Sequence, residues 1–206
     1  MSKIEIFGTM RSRATRCVWA AEELGLAYEL VNVDTGKGEQ KQPGYLAINP
    51  NAHIPAMRDG DLTMFESLAI NLYLAKKAGG PLAPATLAED ALMTMWSIWA
   101  ITEVEKHAIE YLLHTAIYPA EKRDAAAAVH ALEALDRPLG ILDATLVNGG
   151  GHIVGGRFTI ADLNVCAVAM WLRTAPTEFH AKYPHVGAWI QKARERPARR
   201  KIDGGG

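Results

Sequence analysis

Cysteine is scarce. Only Cys17 and Cys166 occur among 206 residues, in different predicted helices and among apolar neighbours. That excludes a disulfide framework and fits two buried free thiols in a reducing compartment. An excess of either charge is also lacking. The 22 Lys and Arg residues nearly balance 23 Asp and Glu, for a net charge of −1. Non-specific nucleic-acid binding, which needs a basic excess, is therefore excluded. No long apolar run is present. The best stretch, "IADLNVCAVAMWL" (160–172), contains Asp162 and Asn164. It is too short to span a bilayer, so no membrane partner is expected. The N-terminus enters an alternating pattern (Ile4, Ile6) without a charged-then-apolar leader, so a cytoplasmic location is expected. What the chain does have is apolar content, at 49%, enough for a substantial core.

The first third alternates strand and helix signals. "KIEIF" (3–7) reads as a strand, and a helix is expected from about Ser12 to Leu24, closed by Gly25. Residues 27–33 read as a second strand. A Gly-, Gln- and Pro-bearing loop runs from Asp34 to Gln42 and leads into a helical turn at "GYLAIN". A short strand at 55–58, a hairpin signal at Asp59-Gly60 and a return strand at 62–65 follow. Ser67 is expected to N-cap the next helix, which ends near Gly79-Gly80. One feature resists this reading. Arg11, Arg13 and Arg16 crowd the predicted start of the first helix. The helix dipole is positive there, so each arginine is unfavourable by roughly 0.3–1 kcal/mol.

Composition changes after the connector "AGGPLAPAT" (78–86), beyond which no convincing strand occurs. Long helical patterns cover 88–115 and 121–147, the latter kinked or divided by Pro138. "NGGGHIVGG" (148–156) reads as a loop, and "RFTIADLNV" carries a capping box, Thr159 with Asp162. Pro184 starts a last clear helix that Pro197 stops, and the tail "KIDGGG" is expected to fray. The seven histidines form no metal-ligand cluster; His107 and His114, seven apart on one helix, lie about 10 Å apart by helix rise.

Three stretches together resemble the cytosolic glutathione S-transferase family: "SRATRCVWAAEELGLAYELVNVD", "NPNAHIPAMRDGDLTMFESLAINLYL" and "GRFTIADL". The likeness covers essentially the whole chain. The serine after the first strand is most similar to the theta-like and bacterial, serine-type members. The resemblance implies an α/β thioredoxin-like N-terminal domain (βαβαββα) at 1–79, a linker at 80–86, and an all-α C-terminal domain at 87–206 that contributes the electrophile site. It further implies a detoxification enzyme of the homodimeric type. Such an enzyme takes glutathione as co-substrate, holds no tightly bound cofactor, and directs the glutathione thiolate at a small hydrophobic electrophile. Isomerase, dehalogenase, disulfide reductase or peroxidase chemistry on the same fold stays open, as does a non-catalytic binding module.

The same resemblance distributes roles over these residues. Ser67, through hydroxyl and backbone N–H at a helix start, suits the γ-glutamyl carboxylate, and Glu66 suits the neighbouring ammonium. Ile54-Pro55 matches the family's cis-proline step, where the Ile54 backbone pairs with the tripeptide like an added strand. His53, Gln40 and secondarily Lys41 are candidates for the glycyl end. Thioredoxin-like folds carry C-x-x-C at the first helix start, but here that frame reads Ser12-Arg13-Ala14-Thr15. Dithiol chemistry is thereby excluded. Ser12 is the expected hydrogen-bond donor to the glutathione sulfur, with Thr9 and Thr15 as fallbacks. Thr9, Met10, Arg11, Trp99 and Glu103 are candidates for the electrophile site. Arg11 and Arg13 are read as contacts for a ligand or a partner subunit, and Arg16 as paired with an acid such as Glu66 or with a residue across the domain interface.

Overall fold

The computed structural model describes residues 3–204. These divide into two compact units: residues up to Ala83 together with the segment from Pro197, and Pro84–Arg196.

The first unit is built on a four-stranded sheet of order β2-β1-β3-β4. Strand β1 (Ile4–Gly8) pairs in parallel with β2 (Tyr28–Asn32) and antiparallel with β3 (Ala56–Asp59), which pairs antiparallel with β4 (Leu62–Phe65). In β1, Ile4 and Ile6 point to one face and Phe7 to the other, as a pleat of period two requires. All three are buried, so both faces are covered. On the Phe7 side, the single-turn helix α2 (Pro43–Leu46) supplies Tyr45, whose ring meets Phe7 edge-on at 6.4 Å, and Val33 and Ala56 complete that cluster. Helices α1 (Ala14–Glu23) and α3 (Ser67–Ala78) pack against each other, burying Trp19, Ile70 and Leu74 completely.

Several boundaries differ from the sequence expectation for local reasons. Helix α1 begins at Ala14 because Ser12 and Thr9 close a tight turn ahead of it: the Ser12 N–H and Oγ–H both donate to the Thr9 carbonyl, at 3.0 and 2.7 Å. Its end is as expected, with Gly25 at φ 63° beyond the last turn. In the hairpin, Asp59 still pairs with Leu62, so the turn is Gly60-Asp61, one residue later than read. Asp59 is held in the strand by Tyr73 (2.8 Å) and by an ion pair with Lys77.

The tail departs most from its reading. Pro197–Gly204 forms a further helix, α11, belonging to the first unit, although the sequence reading assigned it to the all-α domain as a frayed end. It is anchored on α1. Lys201 reaches Glu22 at 2.7 Å, and Arg199 lies over the Trp19 ring at 5.4 Å. Gly205 and Gly206 lie outside the described residues.

The second unit is all-helical. Its helices are α4 (Leu87–Trp99), α5 (Lys106–Leu112), α6 (Ala125–Ala134), α7 (Asp136–Asn148), α8 (Ile160–Ala169), α9 (Thr177–Ala181) and α10 (Pro184–Arg194). The long pattern over 88–115 is one rod with two π-helical segments, Ala100–Glu105 and Leu113–Ile117. Pro138 divides the next pattern: lacking an N–H, it sits in the first turn of α7, where none is needed. Every residue of α8 is buried, so the longest apolar run of the sequence is the core helix of this unit. A polar bridge ties it to α4: Asn164 donates to Ser97 Oγ at 2.9 Å, and Ser97 donates to the Met93 carbonyl at 2.8 Å. Among the described residues no helix is long and apolar enough to cross a membrane.

Candidate functional site

Three chain segments converge at one end of the first unit's sheet. They are the β1–α1 turn, the loop before β3 and the start of α3. Gly8 measures how closely the first two meet. It holds φ 150°, and a Cβ there would stand 2.6 Å from Ala14 Cβ, 3.4 Å from Ser12 Oγ and 3.6 Å from Ile54 Cβ. The Ala14 contact and the positive φ leave room only for glycine there, while Ile54 lies at ordinary packing distance.

The loop before β3 is fixed through its backbone. The Ile54–Pro55 peptide bond is cis. The preceding His53 carbonyl accepts from both Tyr45 Oη (2.6 Å) and Asn49 Nδ2 (2.7 Å). Burial pushes the Tyr45 phenol up to about 12, so it stays a donor throughout the physiological range. Asn49 is itself buried and accepts from the Asn51 N–H at 3.1 Å. Sequence reading singled out His53 but missed Tyr45 and Asn49, which hold it. The available signal was Asn49-Pro50-Asn51, a turn-forming run directly before the Ile-Pro step.

At α1, Ser12 is half-buried and its hydroxyl is engaged. It donates to the Thr9 carbonyl at 2.7 Å and accepts from the Ala14 N–H at 3.1 Å and, more weakly, from the Thr9 N–H at 3.4 Å. Thr15 donates to the Met10 carbonyl at 2.5 Å. Met10, Arg11 and Arg13 are exposed, and no acidic residue occupies the first turn of α1.

At α3, Glu66 holds the cap position and Ser67 is the first helical residue, so Ser67 is not the N-cap that the sequence suggested. Glu66 is exposed and sits at φ 72°, ψ 105°, outside the regions an L side chain prefers. That bend turns the buried Ser67 inward toward α1, where Arg16 Nη1 donates to its hydroxyl at 3.4 Å. Arg16 is 3% exposed, the most buried of the three arginines at this helix start. Asn71 of α3 donates to the Arg16 carbonyl at 3.3 Å, and Cys17 Sγ–H to the Ser67 carbonyl at 3.6 Å. Burial pushes the Cys17 thiol up to about 12 against the pull of Arg16, so this cysteine is packing and not a nucleophile.

The peripheral candidates are more scattered. Gln40 lies in a tight turn (Glu39–Lys41), half-buried, with its Oε1 buried and unpartnered among the described residues. His53 is exposed. Thr9, Met10 and Arg11 belong to the first unit. Trp99 and Glu103 belong to the second, where the Trp99 ring stands edge-on to Trp96 at 4.8 Å and Glu103 is exposed on the first π-helical segment. Among the described residues no group of three His, Cys, Asp or Glu side chains is placed to hold a metal ion.

Comparison with known proteins follows this division of the chain. Residues 2–76 match the family "Glutathione S-transferase, N-terminal domain", and residues 105–197 match "Glutathione S-transferase, C-terminal domain". Glutathione S-transferase 1 of Triticum aestivum is 32% identical over 216 aligned positions, covering 98% of this chain and 94% of the relative. The solved structure of glutathione S-transferase I from maize, in complex with an atrazine glutathione conjugate, is 31% identical with a TM-score of 0.88 and covers 98% and 97% of the two chains. A theta-class enzyme from the citrus canker pathogen Xanthomonas axonopodis pv. citri, with glutathione bound, is 31% identical with a TM-score of 0.87 over 98% and 97%. With both domains matched in order and relatives of this identity over nearly its full length, the chain belongs to the glutathione S-transferase family.

Proposed function

We propose that this protein is a serine-type glutathione transferase that binds glutathione on its first unit and directs the thiolate at a small hydrophobic electrophile. One observation carries the reading: the first unit gathers Ser12, the cis Ile54–Pro55 step and Ser67 around helix starts without acidic first turns. Such helix starts favour an anionic ligand. Ser67 takes the γ-glutamyl carboxylate, Glu66 the ammonium, the Ile54 backbone the cysteinyl backbone, and Gln40 and His53 the glycyl end. Thr9, Met10, Arg11, Trp99 and Glu103 are proposed as contacts of the electrophile.

Ser12 donates its proton to the Thr9 carbonyl in the free protein. In the complex that proton turns to the glutathione sulfur, while the Ala14 N–H continues to hold the oxygen. The size of this effect is bounded. A thiol of pKa about 8.5 is about 3% ionised at pH 7, and lowering it to about 6.5 makes roughly three-quarters thiolate. Lower basicity then takes back about 8-fold through a Brønsted slope near 0.4–0.5, leaving about 3-fold. Holding sulfur and electrophile together must therefore contribute more than ionisation does.

The exposed apolar residues Leu92, Met95 and Ile98 repeat every three positions along α4, while Met93 and Trp96 of the same helix are buried. This stripe supports assembly with a second copy of the chain, and a charge at Met95 is expected to yield monomers in sedimentation. The test of function is a panel of aryl halides, epoxides, disulfides, hydroperoxides and maleyl compounds with glutathione. Conjugation of aryl halides or epoxides is expected. Retention on immobilised glutathione with no turnover of any compound would reduce the reading to a binding module, and no retention would refute both.

A further inference from the structure

Ser67 sits between two partners of different kinds, and the chemistry of one restricts the other. Its hydroxyl has one proton to give and two lone pairs to receive with. Arg16, buried behind it, reaches the oxygen at 3.4 Å and can only donate. An oxygen that accepts from a guanidinium keeps its proton for another direction. Arg16 is also held in place. It lies on α1, its carbonyl accepts from Asn71 of α3, and the same turn of α1 touches the Ser67 carbonyl through Cys17. The guanidinium stays charged at any accessible pH.

We infer that Arg16 is a positioning residue that fixes Ser67 as a hydrogen-bond donor, and so makes its subsite selective for a carboxylate over a neutral amide at the γ-glutamyl end. This deepens the glutathione-binding reading above and rests on it. It also accounts for an arginine buried at a helix start. The unfavourable dipole contact is offset when the charge underlies a bound carboxylate. Arg11 and Arg13, on the same turn, are exposed.

The experiment compares glutathione with its analogue in which the γ-glutamyl α-carboxylate is a carboxamide. The electrophile is held fixed, and kcat and KM are measured separately. Wild-type protein is expected to prefer the carboxylate strongly. Arg16→Met, which keeps the stem and removes the charge, should shrink that preference about tenfold through KM, with kcat within about threefold, as losing a charge-assisted hydrogen bond implies. Arg16→Lys should restore part of it. In a Ser67→Ala background, Arg16→Met should change the preference no further. A purely structural arginine would instead raise KM for both ligands equally, or multiply with Ser67→Ala, and either result overturns the inference. Should Arg16→Met fail to fold, Ser67→Ala alone decides: a preference kept within about twofold of wild type removes the hydroxyl from carboxylate recognition. Failure of the parent reading looks different, because wild-type protein would then show no saturable glutathione binding by calorimetry.

Discussion

The helix starts of the two units are finished in opposite ways. In the second unit, α4, α6 and α8 are closed by the protein's own side chains. Thr159 and Asp162 form the capping box of α8, the Asp162 carboxylate accepting from the Thr159 N–H (2.9 Å), the Thr159 hydroxyl (2.9 Å), the Ile153 N–H (3.1 Å) and Trp189 Nε1 (3.1 Å). Thr86 caps α4, and Asp124 caps α6 by accepting from two N–H groups. In the first unit, α1 and α3 have no acid in the first turn; α1 opens among arginines and α3 on a strained glutamate. The four orphan N–H groups of a helix start need an acceptor. Where the chain supplies one, the helix start serves folding. In α1 the Ala14 N–H still finds Ser12 Oγ, so what sets the first unit's starts apart is the missing acid, which leaves the positive end of the dipole to an anion from outside.

The sharpest test removes a closed end. Asp162→Ala strands four donors in a fully buried site. At about 1 kcal/mol or more for each buried donor left unsatisfied, stability should fall by about 4 kcal/mol in urea unfolding. Glutathione affinity of the protein that still folds should stay within about twofold, as independent sites imply. A loss of affinity with little loss of stability would reverse the division between closed and open starts.

Next comes the open end at α1. Ser12→Ala should lower turnover of a halo-nitrobenzene about threefold, the net gain that ionisation less the lost basicity leaves. Glutathione affinity should change no more than a few-fold. The fold should lose little, because Ser12 caps only through the Ala14 N–H and the weaker Thr9 contact. Unchanged turnover at saturating glutathione would take Ser12 out of the mechanism and leave it a cap.

An effect of opposite signs on two readouts is expected at Glu66. Backbone strain of the kind it shows costs of order 1–3 kcal/mol, and glycine adopts positive φ freely at some entropic cost. Glu66→Gly should therefore raise stability by about 1 kcal/mol while raising the KM for glutathione. Glu66→Ala, which removes the carboxylate and keeps the bend, should weaken binding with no gain in stability. A stabilised Glu66→Gly variant with unimpaired binding would mean that the Glu66 carboxylate serves nothing at this site.

The closed ends were the legible ones. Thr159 and Asp162 lie three residues apart in sequence, so their box could be read directly, and the same holds for Gly25 ending α1 and Pro138 dividing the helices. The open ends depend on partners far along the chain. Arg16 meets Ser67 across 51 positions, and no local pattern announces it. The expectation that Ser67 caps α3 failed because the bend at Glu66 puts that residue at the cap and Ser67 inside the helix. The tail was misjudged too. "KIDGGG" shows little local helix signal, yet Lys201 finds Glu22 and Arg199 finds Trp19 once α1 is in place.

The mildest test uses pH. At the start of α4, Glu89 accepts from Arg157 in two bonds, at 3.0 and 2.7 Å, and from the Ala85 N–H at 2.8 Å. The Arg157 contact first, then the backbone donor, holds the carboxyl down at about 2 from an ordinary 4.5. A depressed carboxylate favours the fold above its unfolded value and loses that contribution as pH falls toward its folded one. Wild-type protein should therefore unfold at higher temperature than Arg157→Gln above pH 4.5, and the gap should narrow steadily as pH drops toward about 2. The gap will be modest, because exposed ion pairs contribute little. If it stayed constant to the lower limit, Arg157 would be acting through packing alone. The closure of α4 would then rest on Thr86 and not on charge.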